Sequence, residues 1–325
     1  GPGRIRISVR PVQAVRVPGS QAMSLTTDKR DVPVQEGLAP WATLRQTYPP
    51  DFGKAKRIPR WLMNIAVWRR RRLARPVLAR AERICDFEPG MISIVILCCK
   101  RLPELKRLVA SLDKFLATHE SGTCVEKILV DNGSGNDVVS WAHECAFFDR
   151  VIAHENNLGM AVALDDVFPQ ARGEYILLLE EDFIVDYERS FLKRCLVLFD
   201  DFPEIGIIRL KNQRNWGRPY RIIGPLRSTS DNTEFWTWFP SLNGKLNVWA
   251  AGSVLFRKVS FMATGRIPLG PNVARSELQH QGVLYEETYG QRYNRTWLAA
   301  KIKDCYPFVQ PNDTPESPGW GEVTD

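Results

Sequence analysis

The chain has 325 residues, of which 44% are hydrophobic and 25% charged, and its net charge is +7. This length allows one large domain with appendages or two domains, and the ordinary composition excludes a fibrous or wholly disordered protein. No apolar run reaches the ~18 residues that a membrane span requires. No secretory leader is visible, but because the start Gly1-Pro2-Gly3 resembles the scar of a purification tag, we expect the natural N-terminus to be missing.

Positive charge is concentrated in one segment. Residues 54–83 contain eleven Lys or Arg and a single acid, Glu82, whereas the rest of the chain is slightly acidic. The basic excess is therefore a local feature, and it is not the pattern of a chain that binds nucleic acid over its whole surface.

The seven cysteines are scattered along the chain, and no CxxC pair occurs. This spacing argues against a structural zinc site. Reduced thiols in the cytoplasm are the simpler interpretation. A secretory protein with one or two disulfides stays open as the alternative.

The N-terminal part divides into two stretches. Residues 1–53 are rich in Pro, Gly and polar groups, so we expect them to wrap the surface or to be disordered, with a short edge strand around Ile7. Residues 57–83 predict a basic helix that Pro76 breaks or kinks. On it, one face carries three large apolar side chains, those of Trp61, Ile65 and Trp68.

Three interpretations of this helix stay open. Basic amphipathic helices with tryptophans bind anionic membrane surfaces, which makes Trp61–Arg83 a candidate membrane contact. The helix alternatively packs on the main domain and leaves a solvated basic face. Nucleic acid is a third partner, and we do not expect it.

From Met91 onward, strand and helix patterns alternate. The predicted order is strand 92–99, helix 105–116, strand 127–130, helix 138–147, strand 150–154, helix 159–170 and strand 175–179. This order predicts an α/β fold with a doubly wound, mainly parallel sheet and right-handed crossovers. Ligands bind such sheets at the carboxyl ends of the strands, so Arg101, Asp131 and Glu180–Asp182 should converge there.

The last of these strands ends in three consecutive acids, Glu180-Glu181-Asp182. Carboxylates are costly to bury without a partner. Hard cations such as Mg²⁺ and Mn²⁺ take oxygen ligands and share them with a substrate phosphate, so the segment predicts a cation site. A solvated turn is the alternative. The chain has neither GxGxxG nor GxxxxGK[ST], which excludes a dinucleotide fingerprint and a P-loop.

Four motifs in this order resemble the GT-A glycosyltransferase fold, especially inverting family 2. They are Ser93-Ile94-Val95-Ile96 with Lys100-Arg101, Val130-Asp131-Asn132-Gly133-Ser134, Glu155-Asn156-Asn157-Leu158-Gly159-Met160-Ala161, and Gly173-Glu174-Tyr175-Ile176 running into Glu180-Glu181-Asp182. The acidic motif is also similar to the Glu-Asp-Asp motif of N-acetylglucosaminyltransferase I-type enzymes. The resemblance implies a nucleotide-sugar donor, usually a UDP-sugar, held through Mn²⁺ or Mg²⁺.

The resemblance also implies roles on the donor side. Asp182 would bind the metal, Glu180 the ribose or the water ligands of the ion, and Asp131 the imide N–H of uracil. Arg101 would meet the nucleotide or its phosphates. The other donor-side candidates are Cys98, Asn157, Gly159 and Glu181, of which Gly159 allows close backbone approach and Glu181 alternatively points away. Cys98-Cys99-Lys100 replaces the usual Thr-Tyr-Asn of the family, and we expect both thiols to serve packing.

On the acceptor side, the resemblance implies a general base in a Glu-Asp pair before a helix. The nearest match is Glu286-Glu287 before a helical pattern at 289–301, with Glu287 as the base, Glu286 its neighbour, and Glu277 and Asp231 in reserve. Residues 247–258 resemble the family strand that lines the site and ends in basic residues, and 214–221 would form a lid. An aromatic acceptor platform is predicted from Trp216, Tyr220, Trp236, Trp238, Trp249 and Trp297, although we expect at least half of these rings to be ordinary core residues.

Together these features predict an N-terminal extension at 1–88, a GT-A domain at 89–310 with halves 89–190 and 191–310, and a polar tail at 311–325. The predicted protein is a metal-dependent, inverting glycosyltransferase with a glycan or lipid-linked acceptor, in the cytoplasm or on the inner face of a membrane. Two alternatives stay open: a nucleotidyltransferase acting on a sugar phosphate, and a membrane- or RNA-binding module with a degenerate transferase domain.

Overall fold

The structure, a computed structural model, describes residues 59–211, 222–240, 249, 252–267 and 288–310. The chain divides into two compact units, residues 1–46 and 47–325, and every described residue belongs to the second. The strand predicted around Ile7, the lid at 214–221 and the tail at 311–325 lie outside the described residues.

Nine strands of the described residues form one mixed sheet. In chain order they are β1 (Glu88–Cys98), β2 (Val125–Asn132), β3 (Arg150–His154), β4 (Gly173–Glu180), β6 (Ile205–Arg209), β7 (Ile222–Ser228), β8 (Glu234–Phe239), β9 (Val254–Arg257) and β10 (Leu298–Ile302). Across the sheet their order is β3-β2-β1-β4-β9-β6-β10-β8-β7. Two short strands, β5 (Ile184–Val185) and β11 (Phe308–Val309), form a separate antiparallel pair.

Strands β3, β2, β1 and β4 are parallel, and β8 and β9 run against the other strands of the sheet. Three helices connect the parallel strands, namely α3 (Leu102–His119), α4 (Asn136–Glu144) and α5 (Met160–Val167). The predicted α/β fold with a mainly parallel sheet is confirmed. The crossovers place the ends of β1, β2 and β4 at one edge of the sheet.

The central strand β1 shows why this part of the sequence reads as a continuous apolar run. Its residues Ile92, Ile94 and Ile96 belong to one buried cluster, whereas Val95 and Leu97 belong to a second cluster on the other face. A strand that is covered on both faces has no polar side, so its pattern does not alternate. The apolar run therefore follows directly from the position of β1 inside the sheet.

Helices α1 (Arg60–Leu78) and α2 (Ala81–Ile84) precede the sheet, and α6 (Leu192–Asp201) and α7 (Lys258–Thr264) lie further along the chain. Pro76 does not break α1, since it lies in the last turn and the helix ends two residues later. One face of α1 packs on the sheet unit: Met63 and Ala74 are buried, and the Arg70 guanidinium donates to the Asn294 carbonyl at 3.1 Å.

Two sequence predictions in the second half are wrong in part. The helical pattern at 289–301 holds only at its start, because residues 288–293 are helical and Leu298–Ile302 form β10. Every residue of β10 is buried between β6 and β8, so pairing on both sides overrides the helix propensity of a Leu-Ala-Ala sequence. The strand predicted at 247–258 is shorter, since β9 spans Val254–Arg257 and Lys258 begins α7.

Candidate functional site

The carboxyl ends of the parallel strands bring the predicted donor-side residues together. Cys98 of β1 pairs with Asp131 of β2, and Leu97 pairs with Glu180 of β4. The acidic motif, Glu180–Asp182, therefore begins one strand away from Cys98 and two from Asp131. This edge is where an α/β sheet binds its ligands.

Asp182 lies at the centre of this edge, with its side chain almost buried. Its Oδ2 accepts hydrogen bonds from the Arg101 guanidinium at 3.3 Å and from the Gln310 side-chain amide at 2.7 Å. Its Oδ1 is buried and has no hydrogen-bond partner. A buried carboxylate oxygen without a partner is costly, and a cation is the ligand that would satisfy it.

The residues present fit a divalent cation that is shared with a substrate. Among the described residues, no group of three or more His, Cys, Asp or Glu side chains forms a cluster that would hold a metal by itself. Mg²⁺ and Mn²⁺ sites that also bind phosphates need only one or two protein carboxylates. Asp182, with Glu180 at the end of β4, supplies carboxylates of that kind at the sheet edge.

Glu181 is buried beside Asp182 and stays within the site. Its Oε1 lies 3.6 Å from the Arg101 Nε, and its backbone N–H donates to the Leu97 carbonyl at 3.1 Å. Burial raises the pKa of Glu181 to about 7, and the Arg101 charge only partly opposes this rise. Arg101, predicted to meet the nucleotide, thus contacts both Glu181 and Asp182 in the structure.

Cys98 is the last residue of β1, and Cys99 follows it. Burial, with a smaller contribution from the Glu181 charge, raises the pKa of Cys98 to about 12. The pKa of Cys99 is also raised, again mainly by burial. A protonated thiol is a poor nucleophile, which agrees with a packing role for both residues. All seven cysteines of the chain are free.

A hydrogen-bond network joins the loops after β2 and β3. Asp131 is buried and accepts the Ser134 backbone N–H with both carboxylate oxygens, at 3.3 and 3.2 Å. Asn157 Oδ1 accepts hydrogen bonds from the Asn132 side chain at 2.9 Å and from the Gly159 N–H at 2.8 Å. Asp131 thus caps its own turn, while a carboxylate keeps further lone pairs for a ligand.

Two glycines make this network sterically feasible. Gly133 has φ +80°, and a Cβ there would lie 2.4 Å from the Asn157 nitrogen. Gly159 directly precedes α5 and has φ +79° with an extended ψ of 152°, a conformation that only glycine adopts readily. The loops after β2 and β3 therefore need glycine at positions 133 and 159.

Gln310 is a site residue that the sequence does not reveal. The pairing of β11 with β5 returns the chain to the acidic motif and places Gln310, 128 residues further on, against Asp182. Lys211 Nζ donates to the Gln310 side-chain oxygen. No local pattern marks this contact, because it depends on a two-residue strand near the end of the described chain.

Other candidates are not brought to this edge. Asp231 lies in the turn between β7 and β8, which are separated from β4 by β9, β6 and β10. Of the predicted aromatic platform, Trp238, Trp249 and Trp297 are buried core residues, as expected for at least half of these rings. Trp236 lies in β8 and is half-buried. The other acceptor-side candidates lie outside the described residues: Trp216, Tyr220, Glu277, Glu286 and Glu287.

Solved structures that the chain matches include S. aureus TarS, at 14% identity and a TM-score of 0.47, with coverages of 67% of this chain and 36% of that one. A complex of S. aureus TarS 1–349 with UDP has 14% identity and a TM-score of 0.44, with coverages of 67% and 60%. The mannosyltransferase PcManGT from Pyrobaculum calidifontis, in complex with GDP-Man and Mn²⁺, has 15% identity and a TM-score of 0.39, with coverages of 61% and 59%. The chain thus spans less than two thirds of the length of these proteins.

No curated protein matches the chain. The sequence model of glycosyl transferase family 2 matches residues 93–263, which is just over half of the chain. The match contains the end of β1 from Ser93 onward, the loops after β2 and β3, and the acidic motif, all of which form this edge of the sheet. The chain belongs to glycosyl transferase family 2.

Proposed function

We propose that the chain is a metal-dependent glycosyltransferase that moves a sugar from a nucleotide-sugar donor, a UDP-sugar, to a glycan or lipid-linked acceptor with inversion. The observation that carries the proposal is the Asp182 carboxylate. Its Oδ2 is fixed by Arg101 and Gln310, while its buried Oδ1 has no partner. A Mn²⁺ or Mg²⁺ ion at Oδ1 would supply charge stabilisation for the departing diphosphate.

The residues around this carboxylate have separate tasks in the proposal. Asp131 accepts the imide N–H of uracil, and Gly159 with Asn157 shapes the loop that lies against the donor. Glu180 holds the ribose or the water ligands of the ion. Arg101 orients Asp182 in the free enzyme and stands close enough to the acidic motif to meet a phosphate there.

The acceptor half of the proposal rests on sequence. Glu287, with its neighbour Glu286, would remove the proton from the acceptor hydroxyl as that oxygen attacks the anomeric carbon. The sugar would be a hexose or an N-acetylhexosamine. The enzyme would act in the cytoplasm, at the inner face of a membrane if the acceptor is lipid-linked.

A thermal-shift panel tests the donor half. The protein is heated with UDP, GDP, CDP or TDP, each with and without Mn²⁺, as wild type, Asp182→Asn and the control Asp113→Asn on an exposed position of α3. A ligand at about 100 times its dissociation constant stabilises a protein by about 2.7 kcal/mol. We expect a Mn²⁺-dependent shift with UDP in the wild type and the control, and its loss in Asp182→Asn.

Two outcomes would contradict the proposal. A thermal shift with UDP that is equal with and without Mn²⁺ would show that UDP binding does not need the metal. A shift that is equal in the wild type and in Asp182→Asn would show that Asp182 does not hold the metal. Release of pyrophosphate instead of a nucleoside diphosphate during turnover would identify a nucleotidyltransferase.

A further inference from the structure

Exposed apolar side chains are concentrated on one helix. Among the described residues, six large hydrophobic side chains are exposed, and five of them lie on α1; only Leu226 lies elsewhere. The largest are Trp61, Ile65 and Trp68, which are 62%, 54% and 59% exposed. Singly scattered apolar residues are ordinary on a surface, but five on a helix of 19 residues mark a contact surface.

The opposite face of α1 is already occupied by the protein. Met63 and Ala74 are buried, and the Arg71 guanidinium binds the buried Glu204 carboxylate at 2.9 and 3.2 Å. Arg70 holds the backbone of Asn294. This face already holds α1 on the domain, so the exposed tryptophans are not needed for that packing.

Basic side chains extend the same outward face. At about 100° per residue, Trp61, Ile65, Trp68 and Arg72 follow one another along the helix. The flanking Arg69 and Arg75 are exposed as well. The Arg72 guanidinium lies 5.6 Å from the centre of the Trp68 ring, so apolar and basic parts adjoin. We call the residues Trp61, Ile65, Trp68, Arg69, Arg72 and Arg75 the outer face of α1.

We propose that the outer face of α1 binds the surface of an anionic phospholipid bilayer. Trp61, Ile65 and Trp68 enter the boundary between headgroups and acyl chains, where amphipathic tryptophan rings are favoured. The three arginines bind lipid phosphates, and their charge complements a negatively charged membrane surface. Contact at the surface is the relevant mode, because no helix of the described residues has the length and apolarity needed for a bilayer crossing.

The composition of the outer face favours lipid over nucleic acid. A site for single-stranded nucleic acid alternates basic groups with rings on which bases stack. On α1 the tryptophans instead share the first turns with Ile65 and Leu62, aliphatic side chains that suit acyl chains, while the arginines follow in the last turns. Exposed tryptophan and aliphatic side chains beside arginines are residue types that helices use to bind a membrane interface.

Co-sedimentation with vesicles tests the proposal on the full chain. Wild-type protein should bind phosphatidylcholine vesicles that contain about one third phosphatidylserine at least ~10-fold more strongly than pure phosphatidylcholine vesicles, and high salt should weaken this binding. The double variant Trp61→Ser/Trp68→Ser should reduce the binding about 10-fold, whereas Leu226→Ser, which removes the exposed apolar residue outside α1, should not. Brominated lipids should quench tryptophan fluorescence in the wild type, and the double variant should lose this quenching.

A second variant with its control tests the contribution of the arginines to membrane binding. The variant Arg69→Gln/Arg72→Gln/Arg75→Gln should lose the preference for anionic vesicles. The control Lys106→Gln/Arg107→Gln/Lys114→Gln, which removes three exposed charges from α3, should keep it. Equal binding to neutral and anionic vesicles, or unchanged binding of the tryptophan variant, would overturn the proposal. Binding of an RNA oligonucleotide that the tryptophan variant loses, without vesicle binding, would assign the surface to nucleic acid instead.

Membrane binding by the outer face of α1 does not depend on donor binding at Asp182, so an experiment can refute either proposal without the other. The α1 variants should keep the thermal shift with UDP and Mn²⁺, and Asp182→Asn should keep vesicle binding. Loss of both properties in one variant would indicate misfolding, which the melting temperature without ligand detects.

Discussion

Glu181 and Asp182 are adjacent carboxylates with different surroundings. Asp182 has two donors on Oδ2, whereas Glu181 faces Arg101 at 3.6 Å and the protein interior. Burial is the largest influence on Glu181 and raises its pKa from 4.5 to about 7. Near neutral pH, Glu181 therefore carries a proton for part of the time, which lowers the repulsion inside the acidic motif.

This raised pKa predicts a pH dependence of stability in the metal-free protein. Between pH 4.5 and about 7 the folded state binds more protons than the unfolded state, so the free energy of unfolding falls as pH rises. The loss should be about 3 kcal/mol at most. Glu181→Gln stays neutral, so its stability relative to the wild type should increase from pH 5 to pH 8, in urea unfolding with EDTA present. A difference that stays constant over this range, or falls, would show that Glu181 is charged throughout.

The loop network predicts unequal costs for two glycine substitutions. Gly133 and Gly90 have similar φ values, +80° and +73°, but a Cβ at Gly133 would lie 2.4 Å from the Asn157 nitrogen, whereas Gly90 has nothing within 4 Å. Gly90→Ala adds backbone strain alone, about 1 kcal/mol, while Gly133→Ala also displaces the loop at Asn157 and should cost about 3 kcal/mol. Chemical denaturation measures both. Similar losses in the two variants would mean that the loop after β3 yields easily.

At the scale of elements, a buried carboxylate joins α1 to the sheet. Glu204, next to β6, is fully buried and binds Arg71 of α1 and Arg227 of β7, the latter at 3.1 Å. Burial lowers the pKa of Arg227, and the Glu204 charge opposes this effect. Arg227 also stacks on the Phe202 ring at 4.2 Å. Three elements that are distant in the sequence thus depend on one charge.

Removal of this charge should therefore be costly. Glu204→Gln leaves two arginines facing each other without a counter-charge and should lower the free energy of unfolding by about 3 to 5 kcal/mol. Arg71→Gln should cost less, because Glu204 keeps Arg227. As a control, Glu234→Gln breaks a surface pair with Lys303 and should cost much less, because water screens that pair. Equal effects of the Glu204 and Glu234 variants in thermal unfolding would argue against a structural role for the buried pair.

Sequence patterns located the parallel half of the sheet because β1, β2 and β4 are mostly buried and the helices between the strands are amphipathic. β3 spans Arg150–His154 as predicted, and β1, β2 and β4 differ only at their ends. β10 was predicted as a helix because Leu-Ala-Ala gives no strand signal, and only pairing with β6 and β8 specifies it. Gln310 was missed for the same kind of reason, since its partner Asp182 is 128 residues away. Local patterns do not encode such contacts.

For the whole molecule, the family match and the compact unit have different limits. The match covers residues 93–263, but α1 before it and β10, β11 and Gln310 after it belong to the same compact unit. The elements outside the match complete the core and the site at the acidic motif: β10 lies between β6 and β8, and Gln310 binds Asp182. The predicted boundary at residue 88 stays a prediction, and the contacts of α1 make it testable.

Two N-terminal deletions distinguish an appended helix from an integral one. Deletion of residues 1–46 removes the first compact unit and gives the reference melting temperature for the second. Deletion of residues 1–85 also removes α1, uncovers the surface on which Met63 and Ala74 pack, and takes Arg71 from Glu204. These losses should total more than about 3 kcal/mol, or on the order of 10 °C in melting temperature. If both truncated proteins have the same melting temperature, α1 is a dispensable extension. The outer face of α1 then belongs to a helix that the sheet does not require for stability.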